Sequence, residues 1–202
     1  AAPDAFVAKK LVLEKSPDVI TLDIEMPKVD GLRFLEVLMN ARPTPVVMIS
    51  TLTEKGADAT LRSLELGAID FVAKPKIGVA QGMADYHQLI VEKIRTAARS
   101  KVKKSAPSKV STVSKVNYSG TEKIIAIGAS TGGTEAIKEV LRTFPANAPA
   151  TVITQHMPAG FTSTYAKRLD AVCQMQVKEA KGGERLLPVS YTHLRAHETI
   201  HY

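Results

Sequence analysis

A serine lies where an apolar segment of the chain meets an amphipathic one. Ser130 belongs to the sequence GASTGG, which follows the apolar run 124–127. Gly128, Ser130 and Gly132 match the pattern G-x-S-x-G, in which small neighbours let a sharp turn expose a serine hydroxyl at the edge of a sheet. An apolar run of this length fits a strand that is buried on both faces. The pattern therefore predicts a nucleophilic serine at the end of a buried strand.

The segment after the serine has the spacing of an amphipathic helix. Thr131 or Thr134 is available as its N-cap. The unpaired backbone N–H groups of such a helix start could hold an oxyanion beside the serine. The apolar residues recur at i, i+3, i+4 and i+7, and they are Ile137, Val140, Leu141 and Phe144.

A histidine follows the next apolar run. Residues 150–155 predict a second strand, and His156 comes directly after it. A strand–helix–strand unit is almost always right-handed and parallel, so both strands end at the same edge of the sheet. Neighbouring strands lie about 4.8 Å apart, so Ser130 and His156 could meet as a nucleophile and its general base. A histidine beside a strand is also common as a structural or exposed residue.

Two other interpretations of the glycine-rich corner need to be weighed. Glycine and serine are ordinary turn residues, so G-x-S-x-G is weak evidence by itself. A phosphate-binding loop is excluded by residue type. A dinucleotide fingerprint needs glycine in place of Ser130, and a Walker loop needs Gly-Lys-Ser/Thr where the chain has Gly132, Gly133 and Thr134.

The composition is that of a soluble globular protein. The 202 residues are 45% hydrophobic and 23% charged. No apolar run approaches membrane-spanning length, and no signal-peptide pattern opens the sequence. The single cysteine, Cys173, excludes an internal disulfide framework and suits a reducing cytoplasm. Cys173 is a conceivable nucleophile, but a lone cysteine in an apolar stretch is more typical of a small core residue.

A basic segment separates the two halves of the chain. Residues 97–121 contain six of the basic residues and no acidic residue, so they account for six of the seven net positive charges. This segment is rich in Ser, Thr, Ala and Lys and lacks hydrophobic periodicity, which indicates a flexible linker. A nucleic-acid-binding arm is the rival interpretation, but interleaved aromatic residues and clustered arginines are missing.

The sequence before the basic segment alternates between helix and strand patterns, which predicts a parallel sheet with helices on both faces. Its three predicted strands end at Asp23, Ser50 and Lys74, where ligands of such sheets bind. A carboxylate, a hydroxyl and an ammonium group at one edge would suit phosphoryl chemistry, although polar residues at strand ends are common. The predicted helices cover 5–15, 31–40, a stretch ending at Gly67, and 85–100, and the predicted strands cover 18–22, 45–49 and 68–73.

The motifs at these positions resemble those of a known family. TLDIEMPKVDGL, PVVMIS and GAIDFVAKP resemble the phosphoacceptor, switch-hydroxyl and lysine motifs of response-regulator receiver domains. KIIAIGASTGGTEAI and ITQHMPAGFT resemble the catalytic motifs of the chemotaxis protein-glutamate methylesterase. The motifs are long, occur in the order of that family and together cover about residues 1–188. The resemblance implies an α/β protein of two doubly wound parallel-sheet domains joined by a flexible linker.

The resemblance also implies the domain boundaries. Residues 1–98 correspond to a receiver domain without its first strand and helix, and residues 99–121 form the linker. Residues 122–188 correspond to the N-terminal part of the methylesterase domain, so both domains are expected to be incomplete. Residues 189–202 form a tail unlike the family, which we interpret as non-native sequence.

In the receiver domain, the resemblance implies a site for phosphorylation. Asp23 would be phosphorylated by the chemotaxis histidine kinase, with Ser50 and Lys74 as its switch and phosphate partners. Phe71 matches the aromatic position that changes rotamer on activation. Mg²⁺ would be held partly by Asp23 and by the backbone carbonyl of Glu25.

In the second domain, the resemblance implies hydrolysis of methylated glutamates and deamidation of glutamines on methyl-accepting chemotaxis receptors. Ser130 would be the nucleophile, His156 the general base and Thr131 part of the oxyanion site, with no cofactor for the esterase chemistry. The third catalytic residue of the family, an aspartate, lies beyond residue 188. Asp170 is a poor substitute because it is predicted near a helix end.

The resemblance further implies a cytoplasmic, phosphorylation-gated enzyme that neither binds nucleic acid nor inserts into a membrane. The unphosphorylated receiver would cover the catalytic face, and phosphorylation would relieve that block. Because the third carboxylate is missing, we expect this chain by itself to be inactive. The alternative function is a catalytically inactive fragment that retains only receiver-type phosphorylation or partner binding.

The end of the chain contains a motif typical of zinc proteases. His197, Glu198 and His201 form H-E-x-x-H, and His193 lies one helical turn earlier. We reject a zinc protease because a third ligand and a surrounding domain are missing, with only Tyr202 after the motif. Adventitious metal binding by three histidines at i, i+4 and i+8 stays open.

Overall fold

The chain divides into two compact units, Ala1–Ala106 and Pro107–Tyr202. A computed structural model describes residues 1–51, 53–74, 83–102, 123–183 and 192–196. The division falls within the predicted linker, most of which lies outside the described residues. Among the helices described, none is both long and apolar enough to cross a membrane.

The first unit is built on a three-stranded parallel sheet in the order β1-β2-β3. Residue Asp23 at the end of β1 pairs with Ile49, and Ser50 at the end of β2 pairs with Ala73, so the strands end along one edge. The alternation predicted from the sequence is confirmed. The elements are α1 Ala5–Lys15, β1 Ile20–Asp23, α2 Gly31–Ala41, β2 Val46–Ser50, α3 Glu54–Glu65, β3 Asp70–Ala73 and α4 Met83–Ala98.

The central strand of this sheet is the most deeply buried. Val46, Val47 and Met48 in β2 are fully buried, as expected for a strand with helices on both faces. The helices that follow β1 and β2 begin at side-chain caps. Asp30 accepts a hydrogen bond from Arg33 N, and Thr53 accepts one from Gly56 N. These caps fix where each helix leaves the edge that carries the polar residues.

The second unit has a four-stranded parallel sheet in the order β4-β5-β7-β6. Ala129 at the end of β4 pairs with Gln155 at the end of β5, so Ser130 and His156 leave the sheet at the same edge. The α/β class with parallel sheets is confirmed. The elements are β4 Ile124–Ala129, α5 Gly133–Arg142, β5 Ala150–Gln155, α6 Ala159–Asp170, β6 Val177–Glu179 and β7 Thr192–Ala196.

The prediction that the strand before Ser130 is buried on both faces is wrong. Residues of β4 alternate between exposed and half-buried, and Ile124 is 60% exposed. β4 is exposed because it is an edge strand of the described sheet, in which it pairs with β5 alone. The deeply buried strand is instead β5, in which Ile153 is fully buried.

The helix after Ser130 differs from its prediction at both ends. Its N-cap is Gly132 in the left-handed region, so neither Thr131 nor Thr134 caps it. Thr134 lies inside the first turn and is buried. At the other end, α5 stops at Arg142, before Phe144. The predicted apolar face is therefore shorter: Ile137 and Leu141 are buried, whereas Val140 is exposed.

Part of the segment predicted as a foreign tail belongs to the second sheet. Strand β7 lies between β5 and β6 and is parallel to both, and its His193 is paired with Val152. His193 is thus in a strand, which removes it from the helical i, i+4, i+8 series. His197, Glu198 and His201 lie outside the described residues. The described part of the chain contains no group of three or more metal-ligating side chains.

Candidate active site and phosphorylation site

The corner after β4 is shaped by two consecutive glycines. Gly132 has a φ of 75°, a conformation that glycine adopts without the steric cost of a side chain. The N–H of Gly133 donates to the carbonyl oxygen of Ser130 at 2.8 Å, which closes the turn. Ser130 is thereby placed at the exposed start of α5, as the sequence predicts.

Ser130 and His156 meet at the edge of the second sheet. Ser130 Oγ lies 3.4 Å from His156 Nδ1. The N–H of His156 donates to the carbonyl oxygen of Ala129 at 2.9 Å, which joins the loops that follow β4 and β5. A contact of 3.4 Å is long for a hydrogen bond, but catalytic contacts often tighten only when substrate is bound. The arrangement can support proton transfer from a serine hydroxyl to an imidazole.

A buried glutamine that no sequence motif predicts lies beneath this pair. Gln155, the last residue of β5, is 3% exposed. Its Nε2 donates to the carbonyl oxygen of Ser130 at 2.9 Å and to that of His156 at 3.3 Å. The signal available in the sequence was an amide at the end of the apolar strand ATVITQ, next to the histidine.

The first turn of α5 is held from behind by a tyrosine. Tyr165 Oη donates to the carbonyl oxygen of Thr134 at 2.8 Å, and both residues are buried. Burial raises the pKa of Tyr165 above its ordinary value, which keeps the phenol protonated as a donor. Thr131 is exposed beside Ser130 at the start of this turn. Its predicted oxyanion role stays a prediction.

Two further candidates from the sequence take no part in this arrangement. Asp170 is the last residue of α6, and its Oδ1 accepts a hydrogen bond from Val177 N at 2.7 Å, which joins α6 to β6. The role of Asp170 is thus structural, because this hydrogen bond holds the end of α6 against β6. Cys173 is half-buried, and burial raises the pKa of its thiol to about 11. A thiol with a raised pKa lacks the thiolate needed for nucleophilic chemistry.

The strand ends of the first unit bring together a lysine and two carboxylates. Lys74 Nζ lies 2.8 Å from Asp23 Oδ2 and 3.9 Å from Glu25 Oε2. The N–H of Glu25 donates to Asp23 Oδ1 at 3.0 Å. About a third of the side chain of Asp23 is exposed. The structure therefore places an accessible, oriented carboxylate beside an ammonium group.

Ser50 does not join this cluster in the structure. Its side chain is 1% exposed, and Ser50 Oγ accepts a hydrogen bond from Thr60 Oγ1 at 2.6 Å. Ser50 Oγ also donates to the carbonyl oxygen of Gly56 at 3.2 Å. The hydroxyl is therefore held against α3. The role expected for Ser50 as a phosphate partner stays a prediction.

Phe71 is buried in β3 behind the same edge. Its side chain is 6% exposed, and Lys93 Nζ of α4 lies 5.6 Å from the centre of its ring. Lys93 Nζ also lies 2.7 Å from Asp70 Oδ1, in an ion pair that is largely buried. The contact with the Lys93 ammonium group, which the ion pair with Asp70 holds in place, stabilises the ring in this buried position. The predicted rotamer change on activation stays a prediction.

Comparison with known proteins follows the same division of the chain. Residues 1–80 match the response regulator receiver domain, and residues 125–194 match the CheB methylesterase domain. The chain thus contains a segment that matches a receiver domain, followed by one that matches a CheB methylesterase domain. The resemblance seen in the sequence is thereby confirmed. The methylesterase match extends beyond Pro188 into the segment predicted as a tail.

Two curated relatives and one solved structure are similar to this chain. The protein-glutamate methylesterase/protein-glutamine glutaminase 2 of Pseudomonas aeruginosa is 56% identical over 188 residues, which is 93% of this chain and 54% of that protein. The protein-glutamate methylesterase/protein-glutamine glutaminase of Bordetella parapertussis is 54% identical over 189 residues, which is again 93% of this chain and 54% of that protein. The chain spans about half the length of the curated relatives that it matches. The solved response regulator domain of Thermotoga maritima CheB is 40% identical, covers 50% of this chain and 75% of that chain, and has a TM-score of 0.44.

Proposed function

We propose that this protein hydrolyses glutamate methyl esters, and deamidates glutamines, on chemoreceptors in bacterial chemotaxis, under the control of phosphorylation. The observation that carries the proposal is the 3.4 Å approach of Ser130 Oγ to His156 Nδ1 at the shared end of two parallel strands. The names of the relatives supply the substrate class, because both are protein-glutamate methylesterases/protein-glutamine glutaminases.

The geometry supports a two-step acyl transfer. Ser130 Oγ attacks the carbonyl carbon of the methyl ester while His156 takes the hydroxyl proton. His156 then gives this proton to the departing methoxide, so methanol leaves and the glutamyl group stays on Ser130. Water, deprotonated by His156, then attacks the acyl carbon and breaks its bond to Ser130 Oγ, and His156 returns the proton to Ser130 Oγ as the free glutamate leaves. A glutamine side chain follows the same course, with ammonia leaving in place of methanol.

The start of α5 is suited to stabilise the negative charge that forms on the carbonyl oxygen. Backbone N–H groups of a helix N-terminus are preorganised donors for an oxyanion. Thr131 would contribute to the same site, beside Ser130. The hydrogen bond from Tyr165 to Thr134 would hold the turn in place.

The receiver unit would accept the phosphoryl group on Asp23. Lys74 would pair with the phosphoryl oxygens, since its ammonium group already lies beside the carboxylate. Ser50 would turn toward the phosphoryl group, and Phe71 would change rotamer as the switch forms. Each of these residues lies on β1, β2 or β3 or directly after it.

A magnesium ion fits the residues present here as part of a site. Mg²⁺ is usually held by one or two carboxylates together with water and phosphate oxygens. Asp23 supplies an exposed carboxylate at the end of β1, and the ion would be bound by this carboxylate and by the backbone carbonyl of Glu25. When bound, it supplies positive charge that neutralises the phosphoryl oxygens.

The partners follow from the same chemistry. A chemotaxis histidine kinase would donate the phosphoryl group, and methyl-accepting receptors would present the methylated glutamates. Both meet the protein in the cytoplasm in this proposal, which the single cysteine also suits. Neither nucleic acid nor membrane insertion has a role in it.

The proposal is tested by release of methanol from membranes that carry methylated chemoreceptors, with an intact version of the protein that includes the carboxylate expected beyond residue 188. Ser130→Ala should lower the rate by at least about 10³-fold, because the nucleophile is removed. Ser163→Ala, a matched serine on α6, should leave the rate unchanged. Equal rates for the wild type and Ser130→Ala would sink the proposal.

A binding or signalling module without esterase activity is the second candidate. The assembled pair of Asp23 and Lys74 favours it, since the phosphorylation site does not depend on the second unit. Incorporation of phosphate that is lost in Asp23→Asn, in a wild type that releases no methanol, would select this candidate instead.

A further inference from the structure

We propose that Gln155 is a positioning residue that holds Ser130 and His156 in register for catalysis. The inference rests on the proposed esterase function and goes beyond it, because it assigns a role to a residue that does not touch the reacting atoms. Gln155 lies at the end of β5, directly opposite Ala129 and between the two loops that carry the pair.

The amide nitrogen of Gln155 joins both halves of the site. Its Nε2 donates to the backbone carbonyl of Ser130 at 2.9 Å and to that of His156 at 3.3 Å. The Ser130 carbonyl accepts a second hydrogen bond, from Gly133 N at 2.8 Å. The serine turn is therefore fixed from the helix side and from the histidine side. A change in the amide would move Ser130 and His156 relative to each other.

The orientation of the amide follows from its partners. Both neighbours of Nε2 are carbonyl oxygens, which only accept hydrogen bonds, so the nitrogen must face them. Gln155 Oε1 then points to the opposite side, where within the described part of the chain it has no hydrogen-bond partner. A buried polar atom without a partner is unfavourable and needs an explanation. The explanation is that this orientation keeps the two hydrogen bonds that Gln155 Nε2 donates beneath the site.

Close packing prevents the amide from leaving this position. A Cβ atom on Gly133 would lie 2.2 Å from Gln155 Oε1 and 3.1 Å from its Cδ. The start of α5 thus rests directly on the amide group. With the side chain 3% exposed, water does not compete for its donors. The amide therefore holds the loops that follow β4 and β5 at a fixed distance from each other.

The test compares Gln155→Met and Gln155→Glu with Gln176→Met, a matched change at an exposed glutamine of the same unit. Methionine keeps the length of the side chain and removes both hydrogen bonds. We expect kcat for methanol release to fall by about 10- to 100-fold with KM nearly unchanged, because the reacting groups lose alignment. Gln176→Met should behave as the wild type.

The glutamate variant adds a readout that a merely structural role would not move. A buried carboxyl group has a raised pKa, and only its protonated form can donate to the Ser130 carbonyl. The rate of Gln155→Glu relative to the wild type should therefore fall as pH rises. The same ratio for Gln155→Met should be independent of pH. A flat ratio for both variants would overturn the inference.

A second measurement separates this inference from the proposed function. The ¹⁵N resonance of His156 Nδ1 should change in Gln155→Met and stay unchanged in Gln176→Met, as long as thermal unfolding shows that both variants are folded. An unchanged resonance in folded Gln155→Met overturns the positioning role. A wild type that releases no methanol instead overturns the esterase function, and the resonance still decides the role of Gln155.

Discussion

Gly133 and Gln155 are packed so closely that no side chain fits between them. A Cβ atom on Gly133 would lie 2.2 Å from Gln155 Oε1, and 2.5 Å from the Cβ of Ala129. By contrast, a Cβ on Gly128 or Gly132 would meet no atom within 4 Å in the described structure. The glycine that close packing requires is therefore outside the G-x-S-x-G pattern.

Gly133→Ala should damage both the stability and the active site of the second unit. Forcing a methyl group into this contact should lower the free energy of unfolding by about 1–3 kcal/mol, because backbone and side chain must shift. Displacement of Gln155 should also lower the rate of methanol release. Denaturant unfolding and the methanol assay provide the measurements. Gly128→Ala is the matched control and should be nearly neutral, so equal effects of the two changes would contradict this packing argument.

The meeting of Ser130 and His156 could be predicted because it depends on a rule of chain topology. Successive parallel strands end at one edge, so residues that directly follow those strands are brought together whatever the details of packing. The same rule placed Asp23 and Lys74 together in the first unit. Strand ends are thus the part of the site that sequence patterns describe well.

Features that depend on three-dimensional packing could not be predicted in this way. The apolar composition of β4 suggested burial on both faces, but its edge position decided its exposure. Ser50 has the right type for a phosphate contact, yet its hydroxyl is turned toward Thr60, a residue on the following helix. Gln155 has a type that is usually exposed. Its burial follows from the register of β4 and β5, which the sequence does not state.

The hydrogen bond from Thr60 to Ser50 should oppose the switch of the receiver unit. Thr60→Val removes the hydroxyl that holds Ser50, so the turn of Ser50 toward a bound phosphoryl group should cost less. Loss of one hydrogen bond of about 1 kcal/mol corresponds to about fivefold tighter binding of beryllofluoride, a phosphoryl mimic. Titration followed by NMR measures this affinity. Thr60→Ser keeps the hydroxyl and should match the wild type, whereas unchanged affinity in Thr60→Val would contradict this role.

The reactivity of Cys173 should depend on folding and on pH. Burial, with the nearby Asp170 as a smaller cause, raises the pKa of the thiol from 9.0 to about 11. At pH 8 the folded protein should therefore react with iodoacetamide about 100-fold more slowly than the unfolded chain, because thiolate is the reactive form. The neutral thiol favours the folded state below pH 9, and this contribution is lost as pH rises through 11. Equal alkylation rates for the folded and unfolded chain would show that the thiol is not protected.

The most direct test of the central claim is to map where a fluorophosphonate, which modifies serines activated by a base, attaches to the protein. The account predicts a single adduct on Ser130 after proteolysis and mass spectrometry, with a labelling rate that falls by orders of magnitude in His156→Ala. The Ser163→Ala variant should be labelled at the same rate as the wild type. An adduct on another residue, or labelling of Ser130 that does not depend on His156, would contradict the nucleophile and base assigned to this pair.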